Sequence, residues 1–166
     1  MLKIFVWMTI FCLLLCGCSR EASFETLGPV VHVGQNAPPV REILLDFPDN
    51  AAMLTASGMD SIYTCGDYDM CLQVFPSGDI PDTIDCLSGF DPEHLTVLES
   101  TQGGTIRYDW SWTAAGEQGD VICRAAVLDD GNYHYTLCVR ADADLAGNLT
   151  EQWNRLFCSF GLGEAA

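Results

Sequence analysis

Lysine is all but missing from this chain. Lys3 is the only one in 166 residues, and 23 acidic residues leave a formal charge of −16. Past residue 17 the only basic side chains besides histidine are six arginines: Arg20, Arg41, Arg107, Arg124, Arg140 and Arg155. Such a surface repels phosphate backbones, which excludes a nucleic-acid binder. It repels anionic lipid headgroups too, so no basic patch holds the chain to a membrane. The acidity reads first as solubility beside a polyanionic envelope. The sharper reading is an acidic site for cations or for a basic partner.

Other absences narrow the chemistry. There is no Cys-x-x-Cys pair, so zinc-ribbon and thioredoxin-type readings lose their usual support. Gly-x-Ser-x-Gly, His-Glu-x-x-His and phosphate-cradling glycine loops are also missing. The three histidines, His32, His94 and His134, have no partner at helical metal spacing, and all read as surface residues. The acidic pairs Asp67/Asp69, Asp129/Asp130 and Asp142/Asp144 lack the further oxygen ligands of a calcium loop, and read as turns and solvated charge. No catalytic residue, metal or cofactor is expected. A hydrolase built from carboxylates that only the fold brings together stays as the enzymatic alternative.

What is present begins at the N-terminus. Lys3 precedes an apolar run from Ile4 to Leu15, the layout of a secretory signal and too short for a spanning helix. Leu15-Cys16-Gly17-Cys18 follows and resembles the bacterial lipobox. That resemblance implies cleavage after Gly17 and a lipid on Cys18, hence a lipoprotein anchored outside the cell membrane. Residues 18–40, with Gly28-Pro29, Gly34 and Pro38-Pro39, read as a tether without a sustained apolar period. Residues 41–163 read as one domain.

Within it, Val40–Phe47 and Met53–Ser57 are strand candidates. Ile62–Cys65 and Tyr68–Phe75 read as a hairpin about Gly66-Asp67, with Tyr68, Met70, Leu72 and Val74 on one face. A short helix follows Asp79, with Pro81 and Asp82 in its first turn and Gly89 at its end. Leu95–Thr101 and Thr105–Thr113 form a hairpin across Gly103-Gly104. Asp120–Leu128 and Tyr133–Arg140 form another across residues 129–132. A last helix starts at Asn148, with Glu151 completing a capping box. Its stripe is Leu149, Trp153, Leu156, Phe157 and Phe160. The pattern is α+β: antiparallel hairpins with two helices.

Six cysteines lie in the domain: Cys65, Cys71, Cys86, Cys123, Cys138 and Cys158. An even number in an exported domain reads as a disulfide framework, and a reducing envelope would leave thiols instead. A four-residue loop at 129–132 sets Cys123 opposite Cys138, within bridging distance. Cys65 and Cys71 flank a hairpin tip and form the next candidate pair. Cys86 and Cys158 remain by elimination. The face Ile106, Tyr108, Trp110 and Trp112 reads as the core side of a sheet. If exposed, Tyr108, Trp110 and Trp112 would line a ligand pocket.

The stretch from Tyr133-His134-Tyr135-Thr136-Leu137 to Leu156-Phe157-Cys158-Ser159-Phe160, a strand feeding a helix that ends in Ser-Phe, resembles the PsbP/Mog1-like α/β sandwich. Members of that fold mostly act by binding, so the resemblance implies a binding or assembly module for an unknown envelope protein, with a small-ligand-binding protein as the alternative. It carries no catalytic residue across.

Overall fold

The computed structural model describes residues 38–164. The expected signal segment, the lipidation site Cys18, His32 and nearly all of the tether lie outside the described residues. No helix among the described residues is long and apolar enough to cross a membrane.

Among the described residues nine strands and two helices follow in chain order. The strands are β1 (Ile43–Leu44), β2 (Ala52–Ser57), β3 (Asp60–Thr64), β4 (Asp69–Pro76), β5 (Leu98–Gln102), β6 (Thr105–Gly116), β7 (Gly119–Asp129), β8 (Tyr133–Asp142) and β9 (Gly161–Leu162). Helix α1 (Ile80–Ser88) falls between β4 and β5, and α2 (Ala146–Ser159) between β8 and β9. Seven strands form one antiparallel sheet in the order β2-β3-β4-β8-β7-β6-β5, and β1 pairs with β9. The fold is α+β, as expected.

Strand alternation sends side chains to two faces, and each face is covered by one helix. Tyr68, Met70, Leu72 and Val74 join Tyr135, Leu137 and Val139 beneath Leu149, Trp153, Leu156 and Phe157 of α2. On the other face Trp110, Trp112, Cys123, Ala125 and Val127 pack with Ile84 of α1. Strand β8 is therefore buried on both sides from Tyr133 to Val139. Helix α1 matches its expected limits, with Asp79 at the N-cap and Gly89 in the left-handed region (φ 72°) at its end. The Asp79 side chain makes no cap hydrogen bond.

Several expectations are corrected. The first strand shrinks to Ile43–Leu44, because only those residues pair in a ladder, with β9. Helix α2 begins two residues before Asn148, from a 3₁₀ turn at Ala143–Leu145, with Leu145 at the N-cap and no side-chain cap. The Asn148/Glu151 capping box does not form. His134 is no surface residue. It is fully buried on the α1 face, where Nδ1 meets Thr83 Oγ1 at 2.9 Å.

No disulfide joins the six described cysteines. The β7–β8 turn is tighter than expected, because Asp130 N donates to Tyr133 O across Gly131-Asn132. The register consequently sets Cys123 opposite Arg140, and Cys138 opposite Ala125. Cys65 packs with the α2-face cluster and Cys71 with the α1-face cluster, so the sheet separates that pair. Cys86 and Cys158 are exposed, on helices that cover opposite faces.

Arg107 ties β6 to α2. Its Nε and Nη2 donate to Asp109 at 2.6 and 2.9 Å. Nη1 and Nη2 also donate to the carbonyls of Phe160 and Phe157 at 3.2 and 3.0 Å. Carbonyls at a helix end have no intrahelical donor, and a cation satisfies them while opposing the dipole. Removing the guanidinium strands a part-buried carboxylate and two carbonyls. Arg107→Met is expected to cost about 3 kcal/mol in urea unfolding. Arg155→Ala, which breaks an exposed pair with Glu151, is expected to stay within about 0.5 kcal/mol.

Candidate functional site

The site follows from a mismatch in strand length. The β5–β6 hairpin turns at Gly103 and Gly104, whose φ of 58° and 82° give the two-residue turn that fits strand twist. Its closing pair, Gln102 and Thr105, is hydrogen-bonded, so Arg107 and Asp109 also bond toward β5. The last pair of that ladder is Leu98 with Asp109. Beyond it β6 runs on to Gly116, paired on its other side with β7. By the same alternation Ser111, Thr113 and Ala115 direct N–H and C=O away from β7. No strand among the described residues meets them.

Gly116 ends this segment. A Cβ there would come within 2.7 Å of Val121 Cγ1 and 2.9 Å of Gly119 O, so the turn requires glycine.

The chain that could have continued β5 turns away. Asp91 accepts from Glu93 N and starts a 3₁₀ turn, Pro92–His94. Leu95 and Val97 then pack against the α1-face cluster. The open cleft left beside the β6 edge has a volume of about 1020 Å³. It is lined by Phe90, His94, Leu95 and Leu98, and by Trp110, Ser111, Trp112 and Thr113 of β6. Leu98 is 66% exposed and Phe90 39%. Asp109 and Arg124, 4.0 Å apart, also line the cleft. Arg124 also stacks over Phe157, 4.1 Å from the ring centroid, and donates to Asn154. Burial lowers the Arg124 pKa, and Asp109 opposes that shift.

Of the three expected aromatic residues, the structure brings two to the cleft. Trp110 and Trp112 stack at 6.2 Å but are only 3% and 8% exposed, so they back the wall. Trp110 Nε1 is buried with no hydrogen-bond partner among the described residues. Tyr108 is half-buried outside the lining, with a pKa raised by burial and by Glu99 and Asp129. Leu98, Phe90 and the edge backbone escaped the sequence reading. Their signal was Asp91-Pro92, which starts the departure from the sheet.

A second, polar cleft of about 460 Å³ gathers Asp67, Asp69, Glu117, Arg140 and Asp142. Arg140 donates to Asp69 at 3.1 Å. Among the described residues no three His, Cys, Asp or Glu side chains converge to hold a metal. Asp129 and Asp130 serve the β7–β8 turn, accepting from Ser77, Gly131, Asn132, Tyr133 and Tyr135.

No family model matches the chain, and no curated protein is similar to it in sequence. Solved structures are similar in fold. The solution structure of cyanobacterial PsbP (CyanoP) from Synechocystis sp. PCC 6803 covers 84% of this chain and 100% of its own, at TM-score 0.54 and 11% identity. LpqN of Mycobacterium tuberculosis, described as involved in cell envelope biogenesis, covers 78% of this chain and 88% of its own, at TM-score 0.50 and 14% identity. A Bacteroides thetaiotaomicron protein covers 74% of this chain and 45% of its own, at TM-score 0.52 and 6% identity. The likeness to PsbP is therefore one of fold.

His134 gives a pH signature for the α1 face behind the tryptophans. Burial lowers its pKa, and Asp129, 3.7 Å from Nε2, only partly opposes this. The unfolded chain then binds more protons below about pH 6.5. Its contribution to stability is full above that pH and is lost as pH falls toward the folded value. Between about pH 7.5 and 5.5 the wild type is expected to lose more unfolding free energy than His134→Gln, by at most about 1.4 kcal/mol per pH unit. Equal losses would show that His134 does not resist protonation.

Proposed function

We propose that this protein is a non-catalytic binding or assembly module, exported and held by an N-terminal lipid on the outer side of the cell membrane. Its partner contributes an extended polypeptide segment that adds a strand to β6. The observation that carries this reading is the edge at Ser111, Thr113 and Ala115, which no strand among the described residues pairs, beside an apolar cleft. Edge backbone supplies affinity in strand addition, and pockets for alternate side chains supply specificity. Phe90 and Leu98 offer such contacts. Arginines 41, 107, 124 and 140 are all engaged within the domain, so the remaining surface favours a basic segment. The fold it shares with a protein described as acting in envelope biogenesis supports the setting. The N-terminal lipobox resemblance supports the anchor.

A second reading, a small-ligand protein, is favoured by one observation. The Trp110 Nε1 donor lies buried and unpaired at the back of the cleft, where an acceptor on a ligand would satisfy it.

Photo-cross-linking in the native envelope tests the first reading. A photoreactive residue replacing Leu98 is expected to give a discrete polypeptide adduct, and one replacing Thr150, on α2, to give none. Thr113→Pro removes one outward donor and leaves the β7 ladder intact. It is expected to lower adduct yield about fivefold, the value of one hydrogen bond. An adduct insensitive to Thr113→Pro, or equally strong from position 150, would contradict strand addition. A small-molecule adduct would transfer the site to the second reading.

A further inference from the structure

Three of the six described cysteines meet on the α1 face of the sheet. Cys71 of β4, Cys123 of β7 and Cys138 of β8 are all buried in one apolar cluster. Cys71 and Cys138 are direct partners in the β4–β8 ladder. Ser77 N donates to Asn132 O at 2.9 Å, in the same register and parity, so Cys71 and Cys138 form a hydrogen-bonded pair. Such pairs hold their Cα atoms about 5.5 Å apart, the commonest separation for a disulfide. Cys123 faces Arg140, so it is only diagonal to Cys138, at about 7–8 Å and at the limit of bridging.

We propose that Cys71 and Cys138 become an intramolecular disulfide when the chain folds in the presence of a disulfide oxidant, bracing β4 to β8 at mid-sheet and leaving Cys123 a thiol. The bond forms by two exchanges. One thiolate attacks the oxidant R–S–S–R, makes a mixed disulfide and releases R–S⁻. The second thiolate attacks the protein sulfur of that intermediate and releases the second R–S⁻. The two protein protons end on the leaving sulfurs, so two protein thiols are oxidised and one small disulfide is reduced to two thiols.

The position also sets the timing. Burial pushes the Cys71 thiol up to about 12 and the Cys138 thiol well above its ordinary value, and neighbouring thiols add to the effect at Cys138. The folded sheet thus holds almost no thiolate at either sulfur, so the bond is made before β4 and β8 close over it. Cys86 and Cys158, exposed on the helices, stay open to small disulfides after folding.

The test needs neither the proposed partner nor the cellular location. Full-length chain is reduced in denaturant, refolded in a glutathione/glutathione-disulfide buffer, acid-quenched, alkylated and mapped without reduction. The expected map joins the Cys71 and Cys138 peptides and shows Cys123 alkylated. The same oxidant added after refolding under reduction is expected to modify Cys86 and Cys158 and leave Cys71 and Cys138 as thiols. Cys123→Ala is expected to keep the bridge, and the oxidised form to unfold at higher urea than the reduced form. A Cys123–Cys138 link would overturn the proposal. So would a natively refolded protein in which Cys71, Cys123 and Cys138 are all alkylated. The wild-type map decides the matter even if a cysteine variant fails to fold.

Discussion

Arg107 is the point on which the rest of this structure turns. One side chain bonds the carboxylate of Asp109 on its own strand and the last carbonyls of α2. Those carbonyls lie where the chain leaves the helix for β9, and β9 in turn holds β1. The Arg41 guanidinium repeats the device on Gly163 O. The C-terminal helix is thus latched to β6 near the start of that strand. Past Asp109, β7 is the one strand among the described residues that pairs with β6. The cleft exists because the strand is held firmly at Arg107 and loses its outer neighbour after Asp109.

The same economy explains the surface. A chain with almost no lysine must satisfy its internal acceptors with arginine, and here four arginines are engaged by backbone carbonyls, an aromatic ring, a side-chain amide and carboxylates. Arg155 alone of the described arginines stands mainly in solvent. Carboxylates therefore dominate what a partner meets. Strong single-sign charge keeps copies of the chain apart and favours encounters with basic segments. It also offsets the hazard of an open strand edge, since two such edges repel before they pair.

Much of the fold was legible in residues. The period-two face Tyr68, Met70, Leu72 and Val74 is the α2-side core. Gly103-Gly104 marked a turn, and Pro81 and Gly89 bounded α1. Three things were not legible. Register depends on which residues close a turn, and Asp130 pairing with Tyr133 moved Cys123 away from Cys138. Face depends on helix placement, which buried His134 under Thr83. The open edge depends on where β5 departs, and local pattern cannot tell a strand from an extended segment packed on a core, as Leu95–Val97 is. Of the expected aromatic residues, Trp110 and Trp112 back the cleft and Tyr108 stands outside it. The edge backbone carries no residue-type signal.

Residue-resolved hydrogen exchange on the folded, full-length protein tests the open edge most directly. The amides of Ser111, Thr113 and Ala115 should exchange orders of magnitude faster than those of Trp110, Trp112 and Ala114, which bond to β7 in the same strand. Equal, strong protection of both sets would mean that the edge is already covered, and would contradict the account.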